Sequence, residues 1–246
     1  LTPGIFIVHL LLTGRVREGL TALASFSGTV LLGALVLPSA TVDFFTRRLY
    51  ETGRVGLAWI VDNQSLQGLI ARALHTEHPG PAWAVPTAFV GLAGLWLARR
   101  LGGGGPWPVL VTAVTGLLVS PISWSHHWVW CVPMAVLVLS EAVRLGGRWH
   151  RAGAAGLTTV FLTYALWWVP HGVERPELHQ GPVEFVLSAL YPLAALGFLA
   201  AAARVASRPG GAQGPDAEPA GRPVPEQRDP AGAEADRAGR QALAKE

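Results

Sequence analysis

Two adjacent imidazoles, His126 and His127, stand in the run Ser120-Pro121-Ile122-Ser123-Trp124-Ser125-His126-His127-Trp128-Val129-Trp130. The run sits in the middle of a stretch, Leu101 to Ser140, that has no Lys, Arg, Asp or Glu. With an unperturbed pKa of about 6.5, an imidazole near neutral pH can take a proton from a hydroxyl or, when charged, hold a phosphate oxygen. Metal binding is a poorer fit. Adjacent helical residues point about 100° apart, unlike the i, i+4 pair that grips a metal from one face, and no carboxylate lies in the charge-free stretch itself. The same residues suit an interfacial aromatic belt, with both histidines hydrogen bonding beside Trp124, Trp128 and Trp130. The residues alone leave these readings open.

A second polar group lies upstream, in the long segment 43–79. Ser39 precedes Asp43-Phe44-Phe45-Thr46-Arg47-Arg48-Leu49-Tyr50, a short helical pattern that Gly53 can end. A second helix is expected from Asp62 or Asn63, either of which can serve as N-cap. Leu66, Leu69, Ile70, Ala73 and Leu74 then form one apolar stripe, suited to the membrane surface or to the helical bundle. Asn63, Gln64, Ser65, Gln67 and Arg72 carry the polar chemistry here. Arg72 in particular offers the planar fork of donors that matches a phosphate, with Arg47 and Arg48 as weaker candidates. The bland alternative is a solvated polar face on an interfacial helix. Asn63-Gln64-Ser65 also matches a glycosylation sequon, a motif too short to carry weight.

The elements that position these residues are read from composition. Half of the residues are hydrophobic and 14% are charged. The apolar residues gather in blocks rather than repeating at helical or strand period, which points to a membrane and away from a soluble core. Charge-free stretches cover Gly19–Val42, Gly80–Ala98, Ala152–Val173 and Phe185–Ala203, each near or above the roughly 18 residues of a spanning helix. With Leu1–Gly14 as a short opening block and the central stretch split at the His pair, about seven membrane segments are expected, the one at Pro106–Pro121 being the weakest. The expected fold class is therefore all-α, a polytopic transmembrane bundle over 1–203.

Arginines set the expected orientation. Arg15 and Arg17, Arg99 and Arg100, then Arg144, Arg148 and Arg151, and finally Arg204 and Arg208 fall in alternate connections, while the turn around His126 holds none and 170–182 only Arg175. The positive-inside rule makes those loops cytoplasmic and places the His pair and segment 43–79 outside. Residues 204–246, rich in Pro, Gly, Ala, Arg and acidic groups, read as a disordered cytoplasmic tail. No arginine stripe with interleaved aromatics supports nucleic-acid binding. A lone cysteine, Cys131, excludes an internal disulfide and a cysteine metal cluster, and its apolar neighbours suggest simple packing. The chain opens on Leu1-Thr2-Pro3-Gly4-Ile5 without Met and enters an apolar run too short to span, which reads as a piece of a longer protein.

Three motifs in order carry a resemblance: Leu1-Thr2-Pro3-Gly4-Ile5-Phe6 entering a helix with Arg15 after it, Asn63-Gln64-Ser65-Leu66-Gln67-Gly68-Leu69, and Ser120-Pro121-Ile122-Ser123-Trp124-Ser125-His126-His127-Trp128. From Leu1 to about Ala203 the chain resembles the C-terminal half or more of polyprenol-phosphate-mannose-dependent α-1,2-mannosyltransferases of glycosyltransferase family 87. The resemblance implies a GT-C fold and transfer of mannose, with inversion, from a polyprenyl-phosphate donor to a glycolipid or lipoglycan acceptor on the external face of the plasma membrane. It implies no cofactor, no nucleotide and no obligatory metal. It further implies His127 or His126 as the base or acceptor-orienting residue, with Asn63, Gln64, Ser65 and, less directly, Arg72 forming the sugar or phosphate pocket. The acidic residue expected near the reaction centre of such enzymes lies in a loop upstream of Leu1. The alternatives are a transporter or scaffold for lipid-linked sugars without chemistry of its own, which intramembrane charges would favour, or an inactive remnant.

Overall fold

The computed structural model describes residues 2–102 and 104–207. Most of the sequence expected to form the tail, 208–246, lies outside them. Ten α-helices run in chain order: α1 (Thr2–Leu12), α2 (Val16–Val36), α3 (Pro38–Asp43), α4 (Leu66–Ala73), α5 (Ala84–Arg100), α6 (Pro106–Val119), α7 (Cys131–Leu145), α8 (Arg148–Leu162), α9 (Pro182–Ser188) and α10 (Leu190–Ala206). Among the described residues there is no strand, only an isolated antiparallel bridge between Asn63 and Trp124. The all-α expectation holds.

The count of spans does not. Among the described residues three helical segments are long and apolar enough to cross a membrane: Val16–Val36, Gly80–Arg100 and Ser125–Leu145. A fourth is possible if Pro182–Ser188 and Leu190–Ala206, bent by 67°, make one broken span. The sequence suggested seven because hydrophobic blocks show where charge is absent but not where a helix breaks. α1 has 11 residues, and α8 has 15 with a charged first turn before Tyr164 takes a left-handed φ of 51°. At 1.5 Å per residue neither reaches across roughly 30 Å of hydrocarbon alone.

α2 is the clearest lipid-facing element. Only Gly19 of its 21 residues is buried, and Phe26, Leu31 and Leu35 project outward, Leu35 being 82% exposed. Its length and apolar composition suit it to cross a bilayer. α6 is the opposite case. Its 14 residues span about 21 Å, and every residue from Leu110 to Leu118 is buried. Expected to be the least secure segment, it is the centre of the bundle, packed by α1, α5 and α10. Its two buried hydroxyls return to the helix, Thr112 to Pro108 O at 2.8 Å and Thr115 to Val111 O at 2.7 Å, and Thr112 also meets His9 of α1 at 3.0 Å. Gly94 of α5 lies against Thr115, where a Cβ would collide. Trp107 stacks on Phe198 of α10 at 5.4 Å.

Segment 43–79 folds onto this bundle. α3 runs into a π-helical turn, Phe44–Arg48, so the expected Asp43–Tyr50 helix begins earlier, at a Pro suited to a helix start. α4 starts at a different cap from those expected. Ser65 is the N-cap, its hydroxyl accepting Gly68 N–H at 3.2 Å, because the Asn63 side chain is committed elsewhere. The expected apolar stripe is buried only at its start. Leu66 is covered and Leu69 and Ile70 are half-buried, but Ala73 and Leu74 are exposed. The face that faces inward is Leu66, Gly68, Ala71 and Arg72.

Candidate functional site

α6 ends at Val119, and the chain turns through Ser120–Trp124 into a 3-10 turn, Ser125–Trp130, before α7 begins. His127 N–H donates to Trp124 O at 2.8 Å, which closes the turn. Both imidazoles are exposed, with ring centroids 4.6 Å apart at an interplanar angle of 74°. The rings meet edge to face, and among the described residues no group of three metal-ligating side chains includes them. Trp128 also departs from the belt reading. It is 2% exposed and packs on Phe161 and Tyr191 at 6.2 and 5.6 Å, while Trp130 lies 5.6 Å from Phe6. Trp128 thus anchors the turn in the core and leaves the histidines outside it.

Asn63, Gln64 and Ser65 meet this turn from the other side, and all three are fully buried. The Asn63 amide donates to Ala58 O at 3.0 Å and Pro121 O at 3.1 Å, and its carbonyl accepts the N–H of Ser123 at 3.0 Å and of Ser65 at 3.3 Å. Gln64 N–H donates to Ser123 O at 2.8 Å, and its side chain reaches Val61 O and Ser188 O. Ser65 Oγ donates to Pro121 O at 3.0 Å. A buried Asn63 with all these partners cannot accept a glycan, so the sequon has no structural support. Gly68 is needed in the same place, since a Cβ there would collide with the Asn63 carbonyl oxygen.

Arg72 was expected on a polar face and is instead fully buried. Its guanidinium donates to Ile60 O at 3.0 Å, Asn63 O and Ser188 O at 3.1 Å, and more weakly to Trp59 O at 3.5 Å. Burial pushes its pKa down to about 10, opposed by the charge of the buried Glu177, so it stays protonated at neutral pH. Asn63, Gln64, Ser65 and Arg72 lie together, and most of their donors go to backbone carbonyls, the buried Arg72 Nε–H alone among them having no partner. Arg47 and Arg48 lie apart from this cluster, paired with Asp43 at 3.6 and 2.9 Å.

One residue was not singled out for chemistry. Asp62 Oδ1 accepts the Ser125 N–H at 3.1 Å, two residues before His127. The sequence signal was only its place before Asn63-Gln64-Ser65. A carboxylate absent from the charge-free stretch is supplied across the fold by the segment that pairs with it.

Comparison with known proteins fits this geometry. Residues 1–121 match Glycosyltransferase family 87, covering α1–α6 with the Asn63–Ser65 and Arg72 cluster and stopping just before the His turn. A polyprenol-phosphate-mannose-dependent alpha-(1-2)-phosphatidylinositol mannoside mannosyltransferase of Mycobacterium tuberculosis (strain ATCC 25618 / H37Rv) is 36% identical over 170 residues, 68% of this chain and 39% of its own length. The protein so named in Mycolicibacterium smegmatis (strain ATCC 700084 / mc(2)155) is 34% identical over 177 residues, again 68% and 39%. A pentamannoside mannosyltransferase of the same dependence from Mycobacterium tuberculosis (strain CDC 1551 / Oshkosh) is 32% identical over 219 residues, 83% of this chain and 48% of its own. The chain thus spans less than half the length of these relatives. No solved structure matches. Over its matched region, residues 1–121, the chain belongs to glycosyltransferase family 87.

Proposed function

We propose that the whole protein transfers mannose from polyprenol-phosphate-mannose to a phosphatidylinositol mannoside acceptor, forming an α-1,2 linkage with inversion. The carrying observation is the exposed His126–His127 pair on a turn pinned by Trp128, Asn63 and Asp62. Relatives whose names state this donor and acceptor support it. His127 or His126 takes the proton from the acceptor hydroxyl as that oxygen attacks C1 of the mannose on the face opposite the phosphate. The C1–O bond breaks, and polyprenyl phosphate leaves with the bonding pair. Asp62 orients and electrostatically supports the imidazole. Asn63, Gln64, Ser65 and Arg72 act on the sugar and phosphate by shaping the pocket wall, because their side chains hold the Ser120–Trp124 backbone in place.

The reaction face is external and the chain beyond α10 cytoplasmic, in the plasma membrane. Arginine alternation supports this, with the shorter helices α6 and α8 completing the crossings inside the bundle. So do the contacts among 43–79, 120–130 and 170–188, which include His75 to Leu178 O at 2.8 Å and Gln64 to Ser188 O at 2.8 Å, since segments that touch share a side.

Replacing His127 or His126 with Ala in the whole protein is the test, following radiolabelled mannose from the polyprenyl donor into a glycolipid acceptor in membranes with matched protein levels. Loss of a general base lowers the rate by about 10²–10⁴. Near-normal turnover in both single variants overturns the assignment.

A further inference from the structure

Apart from the His turn, segment 43–79 walls a pocket of about 310 Å³. Tyr50, Glu51, Trp59, Gln67, Glu77 and His78 give it its chemistry. Its size is at the small end of ligand sites, which run about 300–1,000 Å³, and suits a headgroup unit rather than a lipid. Neither His126 nor His127 lines it, but Ile122 does, so the pocket abuts the backbone that carries the histidines.

The charges of the wall are internally balanced. Glu51 pairs with Arg48 at 3.1 Å, and Glu77 pairs with Arg175 from the turn before α9. Among the described residues no three His, Cys, Asp or Glu side chains come together as a metal-ligand set. Such a pocket has no net field to draw an anion or a bare cation. It does have carboxylate and amide oxygens, an imidazole and the exposed Tyr50 phenol, a combination that takes vicinal hydroxyls at its polar side and sugar C–H bonds on the Tyr50 ring.

We infer that this pocket binds a neutral pyranose, a sugar of the acceptor glycan that does not itself react and whose anchoring presents the next hydroxyl to the His turn. The inference rests on the proposed transferase reading for the sugar's place in an acceptor and its relation to the His turn, while the binding of a pyranose rests on the pocket lining itself.

The test is direct binding of methyl α-D-mannopyranoside to the whole protein in nanodiscs, read by saturation-transfer NMR without donor present. Gln67→Leu and Tyr50→Ala, the latter at a 74% exposed position that does not endanger folding, should each weaken binding about tenfold. His127→Ala should leave it unchanged. Methyl mannoside that fails to bind, or binds equally to the Gln67→Leu, Tyr50→Ala double variant, overturns the inference, as does competition by inorganic phosphate or Ca²⁺. Transfer activity is assayed separately. Intact transfer without pocket binding sinks this inference alone, whereas intact binding without transfer in the wild type sinks the transferase reading alone.

Discussion

The Asp62 carboxylate accepts the backbone N–H of Ser125 at 3.1 Å across 63 residues of sequence. That single bond ties an acidic group to the turn carrying His126 and His127. It also separates two roles, since an amide can keep the hydrogen bond but not the charge.

In the whole protein, Asp62→Asn should therefore fold normally yet transfer mannose about 10- to 100-fold more slowly, with kcat falling and KM nearly constant. Asp62→Ala should lose the bond as well and lower thermal stability. Steady-state kinetics beside a thermal-shift assay in detergent separate the two. Full activity in Asp62→Asn would reduce the residue to a structural peg.

Arg72 is the hub of the polar core, its guanidinium serving carbonyls at Trp59, Ile60, Asn63 and Ser188. Arg72→Met leaves those acceptors buried without donors, at roughly 3 kcal/mol or more. For a chain of this size that corresponds to a melting temperature lower by roughly 6–12 °C. Arg72→Lys keeps the charge but not the fork, and should recover only part of the loss. A change of under about 2 °C in Arg72→Met would show that the carbonyls find other partners.

Orientation is accessible to cysteine labelling in a Cys131→Ala background. Single cysteines at the exposed positions Val55 and Val173 should react with a membrane-impermeant maleimide from one side, and one at exposed Trp149, between Arg148 and Arg151, from the other. Labelling of Val55→Cys and Trp149→Cys from the same side would break the arginine-based topology.

Composition and charge determined a good deal here. Blocks without charge imply a membrane and helices, because a bilayer accepts little else. The arginine pattern gave an expected orientation, which the labelling above tests, and the runs at Asn63–Ser65 and Ser120–Trp128 stood out because polar and aromatic residues interrupt apolar surroundings. These are local properties, legible one segment at a time. Whether a block becomes a full span is not local. The length of α1, the 67° break between α9 and α10 and the burial of α6 depend on what each helix packs against. Arg72 makes the same point, since an arginine at a polar-looking position is buried only where three carbonyls of the folded-back 59–63 segment and that of the distant Ser188 converge on it. The pairing of Asp62 with Ser125 belongs there too. A carboxylate in one loop and a histidine pair 64 and 65 positions later become one site only when the Asn63–Trp124 bridge sets their register, and that register is a property of the tertiary structure.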